Sequence, residues 1–204
     1  FLQNHKTKED EKPSHTKIGD VKLGIYGGSY YIPEEKLDEF YKLYIKRVFN
    51  KKELSYLTEV QREESGPILI DVDERYSADI SKRQHDLSAH IFDLINLYFE
   101  KLCEMTKDRL MNVPVYVFEK DEINTDNAKY VKDGVHIIIG LDMPHEAKII
   151  LRNKVLLEIG DIFEDLPLTN SYEDVLDFGV ARGKTNWQLY GSRKPDNEDY
   201  KIKK

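Results

Sequence analysis

The stretch ILIDVDERY, Ile68 to Tyr76, governs how the rest of the chain is read. It follows Gly66, and the short run Pro67-Ile68-Leu69-Ile70 reads as a buried strand that delivers polar residues at its end. Residues two apart on an extended strand face the same side, so Asp71 and Asp73 present two carboxylates together. Two acids at the end of a buried strand are costly unless a cation offsets them. A hard divalent ion such as magnesium is one such partner, and a lysine or arginine is the other.

Two further uses of an acidic pair are weighed against that one. Haloacid dehalogenase-type phosphatases also place two aspartates after an apolar strand, but usually with Thr or Val two residues on, where this chain has Arg75. A calcium loop needs Gly near its sixth position and Glu at its twelfth, where Tyr76 and Lys82 stand. The calcium loop is rejected and the phosphatase is kept as the lesser alternative.

Downstream, KDGVHIIIG, Lys132 to Gly140, alternates so that Lys132, Gly134 and His136 share one side of a strand. A cation, a small residue and an imidazole in that order suit a triphosphate, although a lone histidine on a sheet is more often a packing residue. In VLDFGVARGKTNWQLYGSRKP, Val175 to Pro195, Asp177 ends an apolar step, and Asn186, Trp187 and Gln188 lead through Tyr190 to Arg193 and Lys194. Gly179 to Thr185 imitates a P-loop, but the glycines are one residue too close and no helix is signalled after Thr185.

Around these segments the pattern is mixed. Helical spacing runs from Pro33 to about Asn50, along Leu87 to Met105, and from Pro144 to Ile159. Strands are expected at Val113 to Glu119, Gly134 to Leu141 and Asn186 to Tyr190, and a glycine turn at Gly27-Gly28. The class is α/β or α+β. Residues 1 to 14 read as a disordered arm, 15 to 195 as one catalytic domain, and 196 to 204 as a charged tail.

A net charge of −7 argues against a general nucleic-acid coating protein, while the last 23 or so residues are locally basic. Cys103 is the single cysteine, which excludes an internal disulfide and agrees with a reducing compartment. No stretch has the roughly 18 consecutive apolar residues of a membrane helix, so the chain reads as soluble and intracellular. His85 and His90, five apart, do not share a helix face as a metal pair would and read as surface or packing residues.

Taken together, the acidic pair, the small residue and histidine two apart, and the lone aspartate resemble the three motifs of the archaeo-eukaryotic primase superfamily. The Asn186-Trp187, Tyr190-Gly191-Ser192 and Lys194-Pro195 trail, with His15-Thr16-Lys17 and Gly27 to Tyr30, is similar to its branch in the primase-helicases of large DNA viruses. The resemblance spans about residues 15 to 195. It implies an α+β core with an RNA-recognition-like (RRM-like) catalytic sheet and an N-terminal α/β unit.

The resemblance also implies that Asp71, Asp73 and Asp177 hold two divalent cations, Mg2+ or Mn2+. Lys132, Gly134, His136, Asn186, Gln188 and Lys194 would line the nucleotide site. Gly134 stands where many relatives have serine, and Gln188 where some have arginine. The implied activity is synthesis of primers from NTPs or dNTPs on single-stranded DNA in DNA replication. It would act beside a helicase domain and at the replication site of a large DNA virus or in the host cytoplasm. An inactive DNA-binding module of a helicase is the alternative.

Overall fold

A computed structural model describes residues 1–106 and 112–203. In chain order the elements are β1 (His15–Lys17), β2 (Gly28–Tyr30), α1 (Leu37–Ile45), β3 (Leu57–Glu59), β4 (Ser65–Ser77), α2 (Phe92–Thr106), β5 (Val115–Glu119), β6 (Tyr130–Pro144), α3 (His145–Leu156), α4 (Gly160–Phe163), α5 (Tyr172–Val175), α6 (Phe178–Ala181), β7 (Trp187–Gln188) and β8 (Lys201–Ile202). Mixed helices and two antiparallel sheets make this an α+β protein. Where one domain over 15–195 was expected, the chain divides into two compact units, residues 1–61 with 185–201 and residues 62–184 with 202–204.

The first unit is a small sheet in the order β2-β1-β3-β7. Tyr30, Ile32, Phe40, Tyr44 and Leu57 form its core, and Phe1 and Leu2 pack on them. The expected arm is therefore structured in part: Leu2–His5 makes a helical turn and the Thr7 amide donates to the Ser29 carbonyl. Apolar Phe1 and Leu2 had no periodic neighbours in sequence, and their partners lie far along the chain. Glycines 27 and 28, read as a turn, are not one: Gly28 is the first residue of β2, paired with Lys17, and the turn lies earlier, at residues 21–24.

The Tyr190-Gly191-Ser192 corner completes this unit. Ser192, fully buried, links Oγ to the Tyr44 hydroxyl at 2.9 Å and to Ser55 Oγ at 2.7 Å, and accepts the Leu57 amide at 3.1 Å. Gly191 has φ +83, and a Cβ there would lie 2.8 Å from the Phe49 ring. Only glycine combines that backbone with that approach.

The second unit is built on β4 and β6, which pair antiparallel along their whole length, with β5 on the far side of β6. Strand β4 does not stop at Ile70. It continues through the acids to Ser77 because every other residue, Val72, Glu74 and Tyr76, is buried, while β6 supplies partners from Pro144 back to Tyr130. The carboxylates thus lie in the middle of a strand rather than beyond its end.

One sheet face carries Ile68, Ile70, Val72, Val117, Val135, Ile137 and Ile139 into a core shared with Leu94 and Leu102 of α2 and Leu151 and Val155 of α3. Each such side chain contributes roughly 1.5–3 kcal/mol of transfer free energy. The expected helices over Leu87–Met105 and from Pro144 onward form as anticipated, the first after an opening π turn at Leu87–Ile91.

Candidate active site

Because the period of a strand is two, the face of the second unit's sheet opposite its core receives Asp71, Asp73 and Arg75 from β4. The register sets Asp71 opposite His136, Asp73 opposite Gly134 and Arg75 opposite Lys132. The first motif is thereby laid pair by pair against the second. His136 Nε2 lies 3.4 Å from Asp71 Oδ1, and both side chains are mostly covered.

Asp177 arrives from a segment running along the outer edge of β4. Its amide donates to the Asp71 carbonyl at 3.1 Å, one residue from a bridge between Leu176 and Val72. Its side chain caps α6, Oδ1 accepting the Val180 amide at 2.7 Å. A carboxylate at a helix N-cap is the favoured arrangement, and here it fixes the rotamer of the third acid.

Farther along the same face Tyr130 lies between two cations, with Arg75 Cζ 5.5 Å and Lys132 Nζ 5.7 Å from its ring centre. Arg75 entered the sequence reading only as an argument against a phosphatase. Its i+2 spacing from Asp73 was the available signal that it shares the acid face.

The remaining expected site residues lie in the first unit. Asn186 Nδ2 donates to Thr16 Oγ1 at 3.1 Å and to Thr58 Oγ1 at 3.4 Å, and Gln188 Nε2 donates to the Ser192 carbonyl. Lys194 is exposed. Thus Asp71, Asp73, Asp177, Lys132, Gly134 and His136 share one unit, whereas Asn186, Gln188 and Lys194 belong to the other.

The P-loop imitation is the greater part of a short helix followed by a turn. Helix α6 ends at Ala181, and Gly183, with φ +73, sits where a Cβ would come 2.3 Å from Cε1 of His145.

A second cluster escaped the sequence reading. His85, read as a surface or packing residue, is buried on the core side of the same sheet. Its Nδ1 donates to Glu74 Oε2 at 2.6 Å and its Nε2 to Glu119 Oε1 at 2.7 Å. With carboxylates on both nitrogens the ring carries both protons. Burial pulls its pKa down, but the Glu119 and Glu74 hydrogen bonds and the charges of Glu74 and Asp133 outweigh it and raise the value to about 9.

Arg83 grips Asp133 through Nε at 2.7 Å and Nη2 at 3.0 Å and reaches Glu119 through Nη1 at 2.7 Å. Glu74, His85 and Asp133 offer ligand atoms within 4.8 Å of one another, a spacing a metal ion could use. A doubly protonated imidazole and a guanidinium supply positive charge among these carboxylates.

Among the described residues no helix is long and apolar enough to cross a membrane. The family described as the C962R protein N-terminal AEP domain, AEP denoting archaeo-eukaryotic primase, matches residues 19–204. Over 200 residues the chain is 28% identical to a protein of Acanthamoeba polyphaga mimivirus whose name describes it as a helicase. The matched region is 97% of this chain and 20% of that protein. A match over nearly the whole chain, on an α+β fold, means that the chain belongs to the archaeo-eukaryotic primase superfamily, in the family of C962R-type N-terminal domains.

Proposed function

We propose that this chain is the catalytic module of a primase, a metal-dependent nucleotidyltransferase that makes primers from NTPs or dNTPs on single-stranded DNA. The observation that carries the reading is the pairing of Asp71 with His136 and of Asp73 with Gly134 on one sheet face, with the Asp177 amide bonded to the Asp71 carbonyl. Three carboxylates with no sulfur among them are a hard donor set, which fits Mg2+ or Mn2+. Asp71, Asp73 and Asp177 would hold these ions, which when bound would activate a 3′-hydroxyl and offset charge on departing pyrophosphate.

In the reaction the 3′-oxygen bonds to the α-phosphorus as the bond to pyrophosphate breaks, and the hydroxyl proton passes to water. Lys132 would offset charge on the incoming triphosphate, His136 would hydrogen-bond it, and Gly134 would let it approach the sheet. Because the chain matches a fifth of its mimivirus relative, we place it beside a helicase region in a larger replication protein.

The test is primer synthesis on single-stranded template with Mg2+ or Mn2+. Asp71→Ala with Asp73→Ala abolishes synthesis and leaves template binding intact. A wild-type chain that binds template but makes no primer with either ion is instead an inactive DNA-binding module, and hydrolysis of a simple phosphomonoester would favour a phosphatase.

A further inference from the structure

Strand β4 is the outermost strand of its sheet, and its free edge is covered by the segment from Leu168 to Asp177. Only part of this cover is backbone. The Thr169 amide donates to the Arg75 carbonyl at 2.8 Å. Next to it the Asn170 side chain takes the place of a strand residue: Nδ2 donates to the Asp73 carbonyl at 2.9 Å and Oδ1 accepts the Arg75 amide at 3.0 Å. One amide side chain thus holds the peptide groups on both sides of Glu74.

The other end of the segment is held by Arg152 of α3, which is 5% exposed. Its Nε and Nη2 donate to the Leu176 carbonyl at 2.9 and 2.7 Å, and Nη2 also reaches the Glu173 carbonyl at 2.7 Å. These are the carbonyls at the end of α5, and Asp177 follows at once. A guanidinium fork can hold two carbonyls in fixed geometry, which an ammonium cannot do. Burying a cation on carbonyl oxygens is costly, and its charge lies next to the residue that completes the acidic set.

We propose that Arg152 and Asn170 are positioning residues for two of the three carboxylates, Arg152 fixing Asp177 and Asn170 fixing Asp73, although neither touches metal or nucleotide. The inference rests on the proposed metal-holding role of those acids. Groups that orient ligands from behind commonly change metal affinity by about 10–100-fold when removed.

The experiment uses Arg152→Lys, Arg152→Met and Asn170→Leu in the full chain. Mn2+ is titrated and the free ion followed by its EPR signal, with thermal midpoints measured in EDTA. Arg152→Met and Asn170→Leu weaken Mn2+ binding by about tenfold or more, and Arg152→Lys weakens it less. In these variants primer synthesis recovers when Mn2+ is raised to saturation, whereas in Asp177→Ala it does not.

Variants that fold as the wild type does and bind Mn2+ with unchanged affinity overturn the inference. If Arg152→Met does not fold, Asn170→Leu and Arg152→Lys decide. A wild-type chain that binds no Mn2+ removes the catalytic reading as well, while binding by the wild type with unaffected variants removes only the positioning role.

Discussion

The two units each bury a histidine, and they treat it in opposite ways. In the first unit His15 is 1% exposed, stacked obliquely 4.8 Å from the Phe40 ring, with only the Ser14 hydroxyl at its Nδ1. Burial depresses its pKa to about 4, so the ring is neutral. In the second unit His85 is equally enclosed but sits among Glu74, Glu119, Asp133 and Arg83, with Lys203 Nζ 4.0 Å from Glu119, and is charged. Burial alone therefore does not determine the state of an imidazole; the neighbours do. The unit with the acid-bearing sheet face balances a second set of charges on the reverse of the same strand.

His85→Ala tests this contrast most severely. It leaves Glu74 and Glu119 buried without their shared cation and costs about 3–5 kcal/mol. Hydrogen exchange of the β4 amides reads the loss. Trp187, the chain's one tryptophan and part of the first unit, reads that unit separately by fluorescence. A His85→Ala protein as stable as the wild type would show the cluster to be of no consequence.

The next largest effect is with pH, and its sign differs between the units. His85 binds its proton more tightly folded than unfolded, so its contribution is complete below about pH 6.5 and is lost as pH rises through about 9. His15 binds its proton less tightly folded, so its contribution is complete above about pH 6.5 and is lost as pH falls through about 4. Each limb is on the order of 3 kcal/mol. Denaturant midpoints across pH should lose the alkaline limb in His85→Ala and the acid limb in His15→Phe. Loss of both limbs in either variant would contradict the assignment.

Ser192→Ala is a smaller perturbation of the first unit. It removes the acceptor for the buried Leu57 amide and a partner of the Tyr44 hydroxyl, costing about 1–3 kcal/mol in a Trp187-monitored melt. Lys194→Ala is the smallest: an exposed side chain should change the midpoint of the same melt by less than about 0.5 kcal/mol.

The legibility of the fold followed the range of the interactions. Asp71 and Asp73, or Lys132, Gly134 and His136, share a face because of a period of two, which the sequence displays locally. The apolar stripes of α1, α2 and α3 are likewise written at short range. Strands of three residues such as β1 and β3 contain too little alternation to be seen. The length of β4 was underestimated because Asp71, Asp73 and Arg75 looked like the end of an apolar run, whereas their alternation with buried Val72, Glu74 and Tyr76 depends on β6.

The His85 cluster was missed for the same reason. Its partners are 11 and 34 residues away, and Arg83 meets Asp133 across 50. The spacing of His85 from His90 carries no trace of them. Motif order alone singles out Asp177 as a candidate, and nothing local to it signals its bond to the Asp71 carbonyl.

The Asn170 amide, by standing in for a peptide unit, also closes a door. An uncovered outermost strand invites other chains to zip onto it, a route to self-association. With Thr169, Asn170 and Asp177 occupying that rim, β4 from Asp71 to Arg75 no longer offers the row of unpaired amides and carbonyls onto which another strand would build.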